Sequence, residues 1–172
     1  MKLTTLVGRL LVLALALAGS AWAQWSSDPS QNLALSNIPG ADQVQPKLLP
    51  LPDNSWYVSW FNSNPNDPPP RGYDVYYQML NADGVEQFPH NGVQVAKLSL
   101  SSTQDYGLAI DAQGNALLAF LDDRKDPNNP QVSAAKMSPT GQMLWTVALT
   151  FDPSFHKQPK IAATSDDNIV VS

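Results

Sequence analysis

The residues able to do chemistry are few, and their spacing narrows what that chemistry is. The densest polar cluster is Asp122-Asp123-Arg124-Lys125-Asp126-Pro127-Asn128-Asn129. Grouped Asp and Asn oxygens suit a hard cation, which makes Asp122, Asp126 and Asn128 the calcium candidate of the chain. The segment lacks the D-x-D/N-x-D/N-G order of a calcium loop, and Arg124 and Lys125 compete as internal counter-ions. A polar loop in which Asp122 and Arg124 pair is the plainer expectation, and no other metal or cofactor is implied. His90 and His156 stand in loop contexts without acidic residues at ligand spacing, whereas zinc takes three or four ligands. Asp122 with Asp123, and Asp166 with Asp167, are adjacent, so in an extended chain they point to opposite faces. That does not suit the facing carboxylate pair of glycoside hydrolysis. No G-x-S-x-G nucleophile turn occurs either. No catalytic residue is assigned, and the ligand-contacting candidates are Asp122, Asp123, Arg124 and His156.

Composition sets the class in which such a site has to be read. The 172 residues are 43% apolar with five Trp, too hydrophobic for a disordered polymer. They carry no cysteine, which excludes disulfide scaffolds and thiolate metal sites. With 10 basic against 15 acidic residues and no Lys/Arg cluster, a nucleic-acid partner is not expected.

The N-terminus reads as an address. Lys2 and Arg9 precede an apolar run from Leu10 to Ala18, and Ala21-Trp22-Ala23 then places small residues at −3 and −1 before Gln24. That is the layout of a secretory signal peptide spanning residues 1–23. Even taken through Ala23, the apolar stretch makes about 21 Å of helix, short of a hydrocarbon core of about 30 Å. The mature chain is expected to be extracytoplasmic, periplasmic or at the cell surface, with no membrane span after cleavage. Its partner would be a protein or a glycan there.

After a lead-in over 24–44, the chain is written in strand periods. Runs rich in aromatic and β-branched residues, such as Trp56 to Phe61, Tyr73 to Leu80, Ala116 to Leu121 and Val132 to Met137, alternate with turn signals. Those signals are Asp53-Asn54, Ala82-Asp83-Gly84, Gln113-Gly114-Asn115 and Pro139-Thr140-Gly141, where Gly or Asn supplies the positive φ of tight hairpins. The expected class is antiparallel all-β. Trp56, Tyr57, Trp60, Tyr73, Tyr76 and Tyr77 are then core between sheets rather than a sugar platform.

The pattern also recurs. Asn81 to Phe88 lines up with Ser138 to Trp145, and Gln45-Pro46-Lys47 returns as Gln158-Pro159-Lys160, with a weaker middle copy from Gln104. The period is about 56 residues and holds four short strands, the size of a propeller blade. Here the sequence resembles the degenerate repeats of secreted bacterial β-propeller-like proteins. Ala109 to Arg124 carries the turn-strand-D-x-R part, with Phe120 where the family has Trp. Gly72-Tyr73-Asp74-Val75-Tyr76-Tyr77-Gln78-Met79-Leu80 carries the D-(I/V)-Y-x-Q-x-L part, and Gln131 to Lys136 departs from it. The resemblance covers most of 45–172 and implies a fold and an exported life, not a reaction.

Removing 23 residues leaves 149, about 2.6 periods, whereas a propeller closes with four to eight blades. Residues 45–172 are thus expected to be about two and a half blades, truncated in the last strand. The remaining blades would come from further residues of the same chain or from self-association. The expected function is a scaffold or binding module without catalysis of its own. The other reading is part of a secreted polysaccharide-active enzyme, a glycoside hydrolase or lyase, with its catalytic blades beyond residue 172. The loops Asn62 to Arg71, Pro89 to Gly92, Asp122 to Pro130 and Asp152 to His156 are expected to share one end of the strands, opposite the short turns.

Cleavage before Gln24 is directly testable. N-terminal sequencing of exported material should begin at Gln24, and an intact Met1 in a membrane pellet would contradict it.

Overall fold

The computed structural model describes residues 26, 28, 30–66, 68–69, 71–100, 105–152, 154 and 156–172. The expected signal peptide, residues 1–23, and Gln104 lie outside them. The described residues form ten strands and no helix. Strands β1 (Gln43–Pro50), β2 (Trp56–Ser63), β3 (Tyr73–Leu80) and β4 (Val93–Ala96) make one sheet in chain order, every neighbour antiparallel. Strands β5 (Gly107–Ile110), β6 (Ala116–Asp122), β7 (Gln131–Met137) and β8 (Met143–Ala148) repeat that order in a second sheet. Strands β9 (Ile161–Ala163) and β10 (Ile169–Val171) pair antiparallel as a third. The class is antiparallel all-β, in sheets of four, four and two strands, none closed on itself.

One local device sets the hairpins. Five times a residue's N–H bonds the carbonyl four positions on, while the N–H three positions on bonds back to its carbonyl. The pairs start at Leu51, Asn81, Asp111, Ser138 and Thr164. The fourth residue of each turn takes the left-handed conformation: Asn54, Gly84, Gly114, Gly141 and Asp167. This is the three-residue hairpin, a tight turn followed by a left-handed residue, and Gly or Asn is the type that adopts it without strain. Side-chain oxygens reinforce it. Asn81 Oδ1 accepts from the N–H groups of Asp83 and Val85, and Asp111 Oδ1 from those of Gln113 and Asn115. Ser138 Oγ accepts from those of Thr140 and Gln142. The two Gln-Pro-Lys triplets also share a backbone, since Gln45 and Gln158 both have positive φ, at 53° and 50°.

The sheets stack face to face. Alternation along β2 sends Tyr57 and Phe61 into the core shared with the second sheet, and Val58 and Trp60 to the other side. In β6, Ala116, Leu118 and Phe120 enter that shared core, while Leu117 and Ala119 meet Ile161 of the third sheet. Strand β6 is therefore buried along its whole length. Polar contacts set the spacing: Tyr57 Oη donates to the Gly114 carbonyl at 2.8 Å, and the Ser59 and Tyr106 hydroxyls lie 2.8 Å apart. Asp105 bridges Lys47 and Lys160, the lysines of the two Gln-Pro-Lys triplets. A Cβ at Gly107 would stand 2.8 Å from the Ile161 backbone, so glycine permits the close approach of β5 to β9.

The region after β3 departs from expectation. Glu86 forms only an isolated bridge to Leu80, and β4 begins seven residues later, at Val93. The intervening loop is held by the fully buried Gln78, whose Nε2 donates to the Phe88 and Pro89 carbonyls while its Oε1 accepts from the Phe88 N–H. Pro89 to Gly92 therefore lies between β3 and β4, with the short turns. The sequence reading had placed it, with His90, at the opposite end.

Asp111 offers a direct test of the turn device. Its side chain is 1% exposed, caps the turn and meets Lys136 Nζ at 2.6 Å. Burial opposes its ionisation, but the bonds from Lys136 and Asn115 prevail and hold its pKa below the usual carboxylate value. A lowered folded pKa means that this stability is present above the unfolded pKa of about 3.9 and is lost as pH falls through the folded value. Urea denaturation of Asp111→Ala at pH 7 should show a loss of about 2–4 kcal/mol. The variant's stability should also fall less steeply than the parent's below about pH 4.

Candidate functional site

The end opposite the turns is built from unlike connections. Ser99, after β4, is tied to the segment after β6: Asp123, 2% exposed, accepts from the Ser99 N–H at 3.0 and 3.1 Å and from its hydroxyl. Asp123 is thus a brace between two sheets and faces no open site. Asp126 Oδ1 accepts from the Asn128 N–H at 3.0 Å and closes its own turn. The segment after β8 is drawn to the same end, where the Asp152 carbonyl accepts from Asn129 and Gln131 side chains.

Asp122 and Arg124 do meet. Arg124 Nε reaches Asp122 Oδ1 at 2.8 Å and Nη2 reaches Oδ2 at 2.5 Å, a two-pronged pair, with the Arg124 N–H also on Oδ1. Burial would raise the Asp122 pKa, but hydrogen bonds from Arg124 and Ser133 hold it below the usual range. The same pair pushes the Arg124 guanidinium further up. Both groups stay charged near neutral pH, and Asp122 is committed to its partner rather than poised as a base.

The pair forms one wall of an open cleft of about 520 Å³, completed by Lys125, Ser133, Thr146 and Phe151. Lys125 Nζ stands 5.2 Å from the centre of the Phe151 ring, and Phe151 is 75% exposed. A cation, two hydroxyls and an exposed ring can hold a ligand. Of the two hydroxyls, that of Ser133 is bonded to the Asp122 carboxylate, which Arg124 already holds from its other side. Among the described residues no group of three or more His, Cys, Asp or Glu converges to hold a metal. Of the calcium candidates, Asp122 is bound to Arg124 and Asp126 accepts from the N–H of Asn128.

His156 stands apart from the cleft. It lines a second cavity with Trp145 and Leu149, and its Nε2 lies 3.4 Å from Asp152 Oδ1, within ion-pair range but without hydrogen-bond geometry. His90 Nδ1 meets Glu86 at 3.0 Å. Each histidine therefore has a carboxylate four residues before it, contrary to the sequence expectation, and each set stops at two groups. Asp122 and Arg124 were legible as a pair. Phe151 was missed: a lone apolar residue between Thr150 and Asp152 gave no periodic signal. Of the aromatic residues read as core between sheets, Tyr57 and Tyr77 are fully buried there and Tyr73 packs partly buried beside them, whereas Trp56, Trp60 and Tyr76 gather with Leu35 on the outer face of the first sheet. Comparison of the chain with protein-family profiles, with curated proteins and with solved structures finds no match.

Proposed function

We propose that the protein is an exported β-propeller-like scaffold whose loop end binds a surface partner, and that the chain itself carries no catalysis. One observation carries this reading: the two ends of the strands differ. At one end the same three-residue hairpin recurs five times, beside the excursion from Glu86 to Gly92. At the other the connections differ in length and sequence, and the Asp122–Arg124 cleft opens among them. Binding sites gather on variable loops held by a rigid scaffold. Two meanders of identical order, stacked through a shared core, support the blade-like part of the proposal. The committed Asp122–Arg124 pair supports recognition over catalysis, since neither group is free to move a proton.

Binding of the purified protein to immobilised polysaccharides and to isolated cell-surface protein tests the assignment of the face. Lys125→Glu and Phe151→Ala should each weaken the retained interaction at least tenfold, while Asp83→Lys and Thr140→Lys at the turn end leave it unchanged. Loss through Asp83 or Thr140, with the cleft variants folded and fully active in binding, would place the site on the wrong end.

A further inference from the structure

The walls of the Asp122–Arg124 cleft come from one stretch, Asp122 to Phe151, so it is built within the second sheet and its loops. The first sheet fills the corresponding positions with other residues. Counted from the left-handed hairpin residues Asn54 and Gly114, Asn62 stands where Asp122 does, Asn64 where Arg124 does and Pro65 where Lys125 does. There Asn62 Nδ2 donates to Asn64 Oδ1 at 2.9 Å. A neutral amide pair thus braces the same place in the fold. The charges at Asp122, Arg124 and Lys125 exceed what that place demands.

Both cations of the cleft have donors to spare. Arg124 meets Asp122 through Nε and Nη2, and its Nη1 finds no acceptor among the described residues. Lys125 Nζ rests 5.2 Å from the centre of the Phe151 ring and meets no carboxylate among the described residues. The ring places the ammonium without consuming its three N–H donors. The neighbouring carboxylates are engaged elsewhere. Asp123 turns inward to Ser99, Asp126 accepts from the Asn128 N–H, and Asp152 accepts from the Ser154 N–H beside His156. None of these three lines the cleft, whose walls carry Arg124 and Lys125 against Asp122 alone. The chain as a whole is acidic, with 10 basic and 15 acidic residues, so the cleft is a local exception. Screening over about 8 Å at physiological salt leaves such an exception effective at contact and damps the repulsion from more distant carboxylates.

We propose that the cleft binds an acidic glycan, a chain of uronate sugars, with a sugar ring on Phe151 and its carboxylate on Lys125 Nζ and Arg124 Nη1. Phe151 is 75% exposed, so its ring stays open beside Lys125 and offers an apolar plane that the C–H face of a pyranose covers. Thr146, also exposed, adds a hydroxyl for the hydroxyls of the sugar. The cleft is open along its side, which suits a polymer running past it rather than a side chain that needs an enclosed pocket. This inference names the partner class of the loop end and rests on the binding role proposed for that end.

Calorimetric titration of the full chain with galacturonate and mannuronate oligomers, and with the same oligomers after reduction of their carboxyl groups to alcohols, tests the class. An acidic oligomer should bind saturably and about tenfold more tightly than its reduced form, a preference that fades as salt is raised. Lys125→Gln should remove the preference, and Phe151→Ala should weaken both forms, with thermal unfolding unchanged in each variant. Equal binding of the two forms, acid binding indifferent to Lys125→Gln, or no binding of either uronate up to millimolar oligomer would overturn the proposal. If a cell-surface protein is then retained and Lys125→Glu releases it, the loop end stands as a binding face and only the glycan is lost. Loss of uronate binding through Asp83→Lys, with Lys125→Gln unaffected, would overturn both readings.

Discussion

The structure depends on the burial of the two central strands of the second sheet, β6 and β7, on both faces. Strand β6, Ala-Leu-Leu-Ala-Phe-Leu-Asp, has no exposed residue, and its single charge stands at the very end, where Arg124 meets it. A strand covered on one face alternates apolar and polar residues; one covered on both reads as an unbroken apolar run. Burial of each large side chain contributes about 1.5–3 kcal/mol, so β6 and its neighbours outweigh the partly exposed ion pairs at Asp105. Everything else follows from holding that sheet between two others. The tyrosine hydroxyls crossing between sheets require partners because they are buried, and burial pushes Tyr57 up to about 12 and Tyr106 higher still. Gly107 is required because β5 and β9 come too close for a side chain.

The turns were legible because their chemistry is local. A left-handed residue selects Gly, Asn or Asp, and that choice is written within five residues. Strands β2, β3, β6 and β7 were legible from their apolar runs. By contrast β1, β4 and β9 were not delineated. They are short or mostly exposed, β1 is bent by a bulge between Val44 and Lys47, and proline interrupts it at Pro46. The excursion from Glu86 to Gly92 was invisible for a different reason. It is held by Gln78, a side chain ten residues upstream of Phe88, and no local pattern announces that contact.

The site was legible to the same depth. Asp122 and Arg124 are two residues apart, so side chains on one face of an extended segment pair without further information. Asp123 looked equivalent, yet alternation turned it inward to Ser99, twenty-four residues before it in sequence. His156 shares the loop end with Asp122 but lies across β8, which separates the cleft from the cavity that His156 lines. Adjacency in sequence and a common end of the strands therefore do not make one site. Which face of a strand a residue occupies decides it.

Residue-resolved hydrogen exchange tests the two-sided burial of β6 and β7 most directly. Amides of Leu117 to Leu121 and Val132 to Ala135 should exchange together and slowest, only through global unfolding, with β9 and β10 at least a hundredfold faster. Exchange of β6 as rapid as that of β10, under conditions where the chain remains folded, would contradict the account.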